Sequence, residues 1–322
     1  MKFKTIITTA LTCAALCFGV SNAAAATEPW TGTIKLVVPY PPGGSTDNLA
    51  RLFAERMTAE LGQVVVIDNR GGAGGTIGAQ AVARSNPDGS TLLLAPTAVM
   101  TITPYLRTVP YDPIKDFVSI SKLASTIGIV AVPKDFPANN MQEFIAYAKA
   151  HAGDMTYGSA GLGTVTHLQA AALLSHLGLS ALHVPYKGSG PAMNDLMAGR
   201  IDMMFDSIVL TQVKNGQLKG LAAKVDARHP DLPNVPTLKE QGIDIELPSW
   251  YGLYAPAGTP KAVVDRYAAA AKKIMADPGL QAQLLALSQQ VTYLGPADFV
   301  KSAAADTKLY RTLIKEANIK MD

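Results

Sequence analysis

The amino-acid sequence predicts an α/β protein with two domains, in each of which helices flank a mostly parallel sheet. Short β-type runs alternate with helical patterns along most of the chain, which is typical of parallel α/β architecture. The chain has 322 residues, and its length favours two domains because about 150 residues per domain is usual. After residue 26 no apolar run approaches the ~18 residues that indicate a membrane-spanning helix.

Residues 1–26 are predicted to be a secretory signal peptide rather than part of the fold. Lys2 and Lys4 give a positive start, residues 6–20 an apolar core, and residues 21–26 a small-residue exit, which together are typical of an export signal. Cys13 and Cys17, the two cysteines of the chain, both fall in this segment. After cleavage at Ala25 or Ala26 we therefore expect no disulfide, no thiolate nucleophile and no cysteine-bound metal.

Charge and histidine spacing exclude several classes of function. Without Lys2 and Lys4, 26 basic residues stand against 25 acidic ones, and their scatter argues against nucleic acid or a membrane surface as a partner. The five histidines include no pair at i, i+4 spacing, so we expect no metal site and no cofactor.

The first half of the exported chain predicts the order β-α-β-α-β. Apolar runs of strand length occur at 34–38, 64–67 and 92–94. After the first strand, one helical face collects Leu49, Leu52, Phe53, Met57 and Leu61. A glycine loop and a small-residue helix over 76–83 complete this half.

A second α/β series begins near residue 127. Its predicted strands are 127–132, 155–158, 182–186, 201–205 and 218–222, and its predicted helices are 141–150 and 164–177. After Pro256 the pattern is helical almost to the end, and helices without enough strands of their own should pack on the first domain. We therefore expect a discontinuous first domain, 27–126 plus 256–322, and a second domain over 127–255.

Two strand-to-helix loops are candidates for binding an anion. Residues 41–47 (PPGGSTD) and 159–164 (SAGLGT) combine glycines with Ser or Thr at the expected N-cap of the following helix, and ligands bind beyond the carboxyl ends of parallel strands. Neither loop contains Lys, Arg or His before His167. Recognition of a carboxylate would therefore use backbone N–H groups, hydroxyls and water rather than an ion pair. The alternative is that both are only tight connections.

Two enzymatic motifs fail at single positions. In the glycine loop 72–78 (GAGGTIG), Ile77 occupies the position of the last glycine of a dinucleotide fingerprint, which leaves a turn with close helix packing. Glycine directly precedes Ser159, whereas a nucleophile elbow has one residue between them. A Ser159, His167 and Asp206 triad stays a minor alternative. Asp206 could instead orient a hydroxyl or amine of a ligand, or cap the next helix.

Six segments, taken in order, resemble successive blocks of the tripartite tricarboxylate transporter substrate-binding proteins, also called the Bug (TctC-like) family. They read VPYPPGGSTDNLAR, LGQVVVIDNRGGAGGTIGAQAVA, NPDGSTLLLAP, MTYGSAGLGTVTHL, LHVPYKGSGPAMNDLMAGRIDMMFD and SWYGLYAPAGTPKAV. The resemblance implies a two-domain periplasmic binding protein of the Venus-flytrap, type II-like fold, which grips a carboxylate between two β-α loops.

The resemblance also implies a set of ligand-binding residues and partners. The expected residues are Tyr40, Pro42, Gly43, Gly44, Ser45, Thr46, Asp47, Thr97, Ser159, Ala160, Gly161, Gly163, Thr164, His167, Pro185, Tyr186, Lys187 and Asp206. We expect a monomeric, non-enzymatic receptor in the periplasm that delivers an organic carboxylate to membrane permease subunits. A sensor kinase as a further partner stays open, and a secreted α/β hydrolase using Ser159 is the alternative function.

Overall fold

The computed structural model describes residues 30–316 of the chain. The predicted signal peptide lies outside the described residues. Within them, every helix is too short or too polar to cross a membrane.

Strands and helices alternate through most of the described chain. The strands are β1 (Ile34–Val38), β2 (Val65–Asn69), β3 (Thr91–Pro96), β4 (Phe117–Thr126), β5 (Gly128–Pro133), β6 (Thr156–Ser159), β7 (Leu182–Pro185), β8 (Met203–Asp206), β9 (Leu218–Lys224), β10 (Trp250–Pro256) and β11 (Gln289–Leu294). The helices are α1 (Ser45–Leu61), α2 (Thr76–Ala83), α3 (Thr103–Leu106), α4 (Met141–Ala150), α5 (Val165–His176), α6 (Ser189–Met197), α7 (Leu210–Lys214), α8 (Lys261–Met275), α9 (Pro278–Ala286) and α10 (Pro296–Glu316).

The first sheet has the strand order β11-β4-β10-β3-β1-β2. β1 is parallel to β2 and β3, because α1 and α2 return the chain across the sheet between these strands. β10 is antiparallel to β3 and β4, and β11 is antiparallel to β4. The expected parallel pairing therefore holds for the strands that helical crossovers connect, and the later strands add an antiparallel half.

The second sheet has the strand order β7-β6-β8-β5-β9 and likewise combines parallel and antiparallel pairs. β6 is parallel to β7 and β8, and the crossovers that join them contain α5 and α6. β5 is antiparallel to β8 and β9. In both sheets the parallel strands end beside the helix starts that the sequence singles out as anion sites.

β10 corrects the predicted domain boundary at residue 255. All seven of its residues are buried, and it lies between β3 and β4 in the first sheet rather than in the second domain. Its pairing with strands more than a hundred residues away is not predictable from the local sequence. The Thr126 N–H donates to the Ser249 carbonyl at 2.8 Å, so the two chain crossings between the domains lie side by side.

The carboxyl-terminal segment packs on the first domain, as expected. α8 lies against α1, and both α8 and α10 contact β4; Tyr267 of α8 shares a buried core with Phe53 and Met57 of α1. The helical pattern expected almost to the end of the chain is interrupted by β11, which forms an edge of the first sheet.

Candidate ligand-binding cleft

A cavity of about 360 Å³ lies between the two domains. The β1–α1 loop, the segment after β3 and the end of α3 line it from the first domain, and the β6–α5 loop and the end of β8 line it from the second. Thr126, Ser249 and Tyr251 line it where the chain crosses between the domains. Such a cavity has the size and mixed polarity of a small-molecule site.

The β1–α1 loop brings the amino end of α1 to the cavity. Ser45 and Thr46 are the first residues of α1 and line the cavity. Gly44, rather than the expected Ser or Thr, is the N-cap, and no side chain caps this helix. The N–H groups of the first turn are therefore left for an acceptor outside the helix. Tyr251 Oη donates to Ser45 Oγ at 3.0 Å and fixes that hydroxyl from β10.

Asp47 stabilises the β1–α1 loop through hydrogen bonds and does not line the cavity. It is 2% exposed, and its carboxylate accepts the Gly43 N–H at 2.9 Å, Arg51 Nε at 2.8 Å and Asn69 Nδ2 at 2.9 Å. Burial alone would raise the pKa of Asp47, but these hydrogen bonds and the Arg51 charge hold it below its ordinary value. Asp47 therefore positions the glycines from behind the cavity lining.

The β6–α5 loop presents a second helix start from the opposite domain. Thr164 caps α5, since its Oγ1 accepts the His167 N–H at 3.3 Å. The Ala160 N–H donates to Thr166 Oγ1 at 3.0 Å, and the Gly163 N–H donates to His167 Nδ1 at 3.1 Å. The loop thus uses much of its own backbone to hold its shape. Val165 and Thr166 line the cavity, and their N–H groups, in the first turn, have no partner within the helix.

Two stacked imidazoles lie beneath this loop. The rings of His167 and His183 are 3.7 Å apart and nearly parallel, and Ser159 Oγ hydrogen-bonds to His183 Nε2 at 2.7 Å. Burial, helped by His183, lowers the pKa of His167 from 6.5 to about 4, and burial also lowers the pKa of His183. The pair is therefore neutral at physiological pH, as the Gly163 hydrogen bond to Nδ1 requires.

Asp206 faces the cavity from the end of β8. It is 7% exposed and accepts Ser189 Oγ at 2.5 Å and the Ile208 N–H at 3.1 Å. Burial raises the pKa of Asp206, although these hydrogen bonds oppose the rise. The geometry is compatible with both predicted roles of Asp206, which are contact with a ligand and capping of the next turn.

Eight of the predicted residues line the cavity, and the others do not. Those that line it are Tyr40, Ser45, Thr46, Thr97, Ala160, Gly163, Thr164 and Asp206. Pro42, Gly43 and Gly44 are exposed on the same loop, whereas Asp47, Ser159, Gly161 and His167 lie behind the lining and hold the loops in place.

The prediction that Pro185, Tyr186 and Lys187 face the ligand is not met by this cavity. Tyr186 Oη donates to Asp195 at 2.8 Å, which turns the ring away, and Pro185 and Lys187 are exposed. Ser189, at the start of α6, takes their place in the lining.

Arg107 is the main lining residue that the sequence reasoning missed. It follows α3, a four-residue helix, in a stretch with no recognisable motif, and only tertiary packing brings it to the cavity. The two predicted loops contain no cation, so Arg107 adds to the lining a charge that neither loop provides. Trp250 and Gln169, also missed, line the cavity near the domain crossings.

The geometry gives no support to catalysis at Ser159. Its side chain is completely buried and lies outside the cavity lining, so a substrate in the cavity does not reach it. Within residues 30–316, no group of three or more His, Cys, Asp or Glu side chains could hold a metal ion.

Two α/β lobes with paired chain crossings and a polar cavity between them define a two-domain solute-binding protein. The chain belongs to the family described as "Tripartite tricarboxylate transporter family receptor", whose model matches residues 49–319. This is a family of substrate-binding receptors and not of enzymes, which removes the hydrolase alternative.

Solved structures agree with this membership. The periplasmic binding protein BugD is 36% identical, with a TM-score of 0.73, over 90% of this chain and 99% of that one. An R. palustris protein solved with adipate is 31% identical, with a TM-score of 0.77, over 90% and 98%. MatC of Rhodopseudomonas palustris, solved with bound malate, is 30% identical, with a TM-score of 0.70, over 88% and 98%. The predicted two-domain binding-protein fold is confirmed.

Proposed function

We propose that this protein is a periplasmic receptor that captures an organic carboxylate by closing its two domains on it and delivers it to membrane permease subunits. The observation that carries the proposal is that the first turns of α1 and α5 line one cavity from opposite domains. The adipate and malate complexes of the two relatives support it, because both ligands are small carboxylates.

Helix amino ends suit this ligand for electrostatic reasons. Each carries roughly half a positive charge and several free N–H donors, and hydrogen bonds to a charged acceptor are worth about 1.5–3 kcal/mol each. Ser45 and Thr166 add hydroxyls. Burial raises the pKa of Tyr40 to about 12. Tyr251 adds to this rise, and the charge of Arg107 opposes it. Tyr40 therefore stays a hydrogen-bond donor.

Closure provides the signal to the transporter. A ligand that contacts both lobes stabilises the closed form by its differential affinity for that form, and the crossings at Thr126 and Ser249 are where the chain can bend. The predicted signal peptide would place the receptor in the periplasm, as a monomer with one ligand. A sensor kinase could read the same closed surface, and uptake and signalling assays in a deletion strain would distinguish the two partners.

Proline substitution at the helix starts tests the proposal. Proline fits the first position of a helix but removes its N–H, and Gly44 and Thr164 already have the extended conformation that a following proline requires. Ser45→Pro and Val165→Pro should therefore fold and yet bind the preferred acid about 10- to 100-fold more weakly, since each loses a charged hydrogen bond.

Calorimetry against a panel of mono-, di- and tricarboxylates identifies the acid and measures these losses. Ser45→Ala and Val165→Ala are the matched controls, because they keep the N–H, and each should bind the acid more tightly than its proline counterpart. Equal affinities for the proline and alanine variants would contradict the helix-end model. If no carboxylate bound the wild-type protein, the proposed function itself would be wrong.

A further inference from the structure

We propose that Gln289, in the carboxyl-terminal segment, is a positioning residue of the ligand site and orients the Thr46 N–H towards the bound carboxylate. The inference rests on the proposed function and deepens it, because it assigns the residue that holds one of the donors at the amino end of α1. Gln289 lies behind the cavity lining and acts through α1.

The side chain of Gln289 reaches the first turn of α1 from β11. The residue is completely buried, and its Nε2 donates to the Ser45 carbonyl at 2.9 Å, across 244 positions of the chain. A carbonyl can only accept a hydrogen bond, so the amide must present Nε2 rather than Oε1 to it. The contact therefore fixes the orientation of the amide as well as its place.

The Ser45 carbonyl and the Thr46 N–H belong to one peptide unit. Such a unit is planar and trans, so its C=O and N–H point in opposite directions and turn together. Ser45 and Thr46 line the cavity, and the Thr46 N–H lies in the first turn of α1, where the helix supplies no acceptor for it. A donor that holds the carbonyl from behind thus directs the N–H towards the cavity.

Tyr251 supports the same peptide through the Ser45 side chain. Its Oη donates to Ser45 Oγ at 3.0 Å and accepts from Thr126 Oγ1 at 3.3 Å. Burial raises the pKa of Tyr251, and the Gln289 amide is among the groups that oppose this rise, which places the amide beside the phenol. Ser45 is therefore held at its hydroxyl by Tyr251 and at its carbonyl by Gln289.

The backbone of Gln289 is fixed at the crossing between the domains. Gln289 pairs with Thr126, the last residue of β4, and the Ile127 N–H donates to the Ser288 carbonyl at 2.8 Å. Ser288 has a φ of 58°, a left-handed conformation that a residue other than glycine keeps only where its surroundings impose it, and such residues cluster at functional sites. Gln289 thus approaches α1 from a constrained backbone.

Stability alone does not favour glutamine at this position. Its Oε1 is buried and has no hydrogen-bond partner among the described residues, and a buried acceptor without a partner is unfavourable. Methionine has a similar length and would avoid this cost, but it has no donor for the Ser45 carbonyl. The donor is therefore the property of Gln289 that the site uses.

The test compares Gln289→Met with the wild type by calorimetry. The probe is the acid of the mono-, di- and tricarboxylate panel that binds the wild type most tightly. Gln289→Met should bind it about 10-fold more weakly, because a misdirected hydrogen bond to a charged acceptor loses much of its strength. Its melting temperature without ligand should stay close to that of the wild type, because the unpartnered acceptor is lost together with the donor. Gln63→Met is the matched control and should keep the affinity, since Gln63 Nε2 donates to the carbonyls of Trp30 and Gly32, outside the cavity lining.

The amide proton shift of Thr46 reports directly on the proposed donor. When the wild type is saturated with the acid, this proton should move downfield because it bonds to a carboxylate. It should move less in Gln289→Met, whereas the Val165 amide proton, at the start of α5, should move equally in both proteins. If Gln289→Met binds as tightly as the wild type, or if the Thr46 shift is the same in both, the positioning role is refuted while carboxylate binding stands. If no acid of the panel binds the wild type, the proposed function fails and the inference fails with it.

Discussion

The buried imidazole of His167 should make the protein lose stability as the pH falls from about 6.5 towards 4. The residue is 4% exposed, and its Nδ1 accepts the Gly163 N–H at 3.1 Å. Burial and the neighbouring His183 lower its pKa from 6.5 to about 4. A protonated Nδ1 cannot accept a hydrogen bond, so protonation also releases the loop that carries Gly163.

Stability falls with pH because the unfolded chain binds the proton at a higher pH than the folded protein does. Above about pH 6.5 the ring is neutral in both states, and the contribution of His167 to the free energy of unfolding is fully present. Between 6.5 and 4 the unfolded chain is protonated while the folded protein is not, so the free energy of unfolding falls. At 1.36 kcal/mol per pH unit, the loss reaches about 2.5 kcal/mol by pH 4.5.

Urea unfolding at several pH values between about 7.5 and 4.5 measures this loss. His167→Asn does not titrate and should lose about 2.5 kcal/mol less than the wild type over this range. His176→Asn, on the exposed side of the same helix, is the matched control and should follow the wild type. If His167→Asn and wild type lose stability in parallel, the reasoning from His167 is refuted.

Two further predictions concern the supports of the cleft. Gly78→Ala should lower the melting temperature, because a Cβ there would come within 2.8 Å of the backbone of both Arg70 and Pro39. Gly190→Ala, at a helical position where a Cβ would meet nothing within 4 Å, is the control, so equal melting temperatures of the two variants would contradict this packing. Asp47→Ala should weaken carboxylate binding in calorimetry, because three donors that hold the β1–α1 loop lose their acceptor. Asp47→Asn, which keeps one acceptor oxygen, should fall between Asp47→Ala and wild type, and unchanged binding in both would argue against a positioning role.

Local chemistry made the helix starts predictable. Gly44 before Ser45, and Thr164 before Val165, combine backbone freedom with a polar start, and both helices begin there. The glycine loop is likewise a turn with close packing, since Gly78 lies against Pro39. At these positions the backbone conformation depends on a few neighbouring residues, so it can be predicted from the local sequence.

Features that depend on distant packing were not predictable in the same way. Arg107 reaches the cavity because the π-helical turn Ala98–Ile102 and α3 fold against the domain crossing, and nothing in the sequence around it indicates this. Tyr186 follows a correctly predicted strand, yet it turns towards Asp195 nine residues later. Residues 250–255 of β10 were assigned to the second domain, because the partners of this strand, β3 and β4, are remote in sequence.

The segment from Thr97 to Arg107 connects the cation of the cleft to the crossing between the domains. At one end Thr97 Oγ1 accepts the Trp250 N–H at 2.6 Å, where β10 begins. At the other end Leu106 packs with Leu168 of α5, in the opposite domain, in a buried apolar cluster. A ligand that draws Arg107 towards the cavity therefore acts on a segment that is held by the crossing and by the second lobe. Since packed interiors transmit strain, we expect a displacement of Arg107 to be felt at both of these contacts.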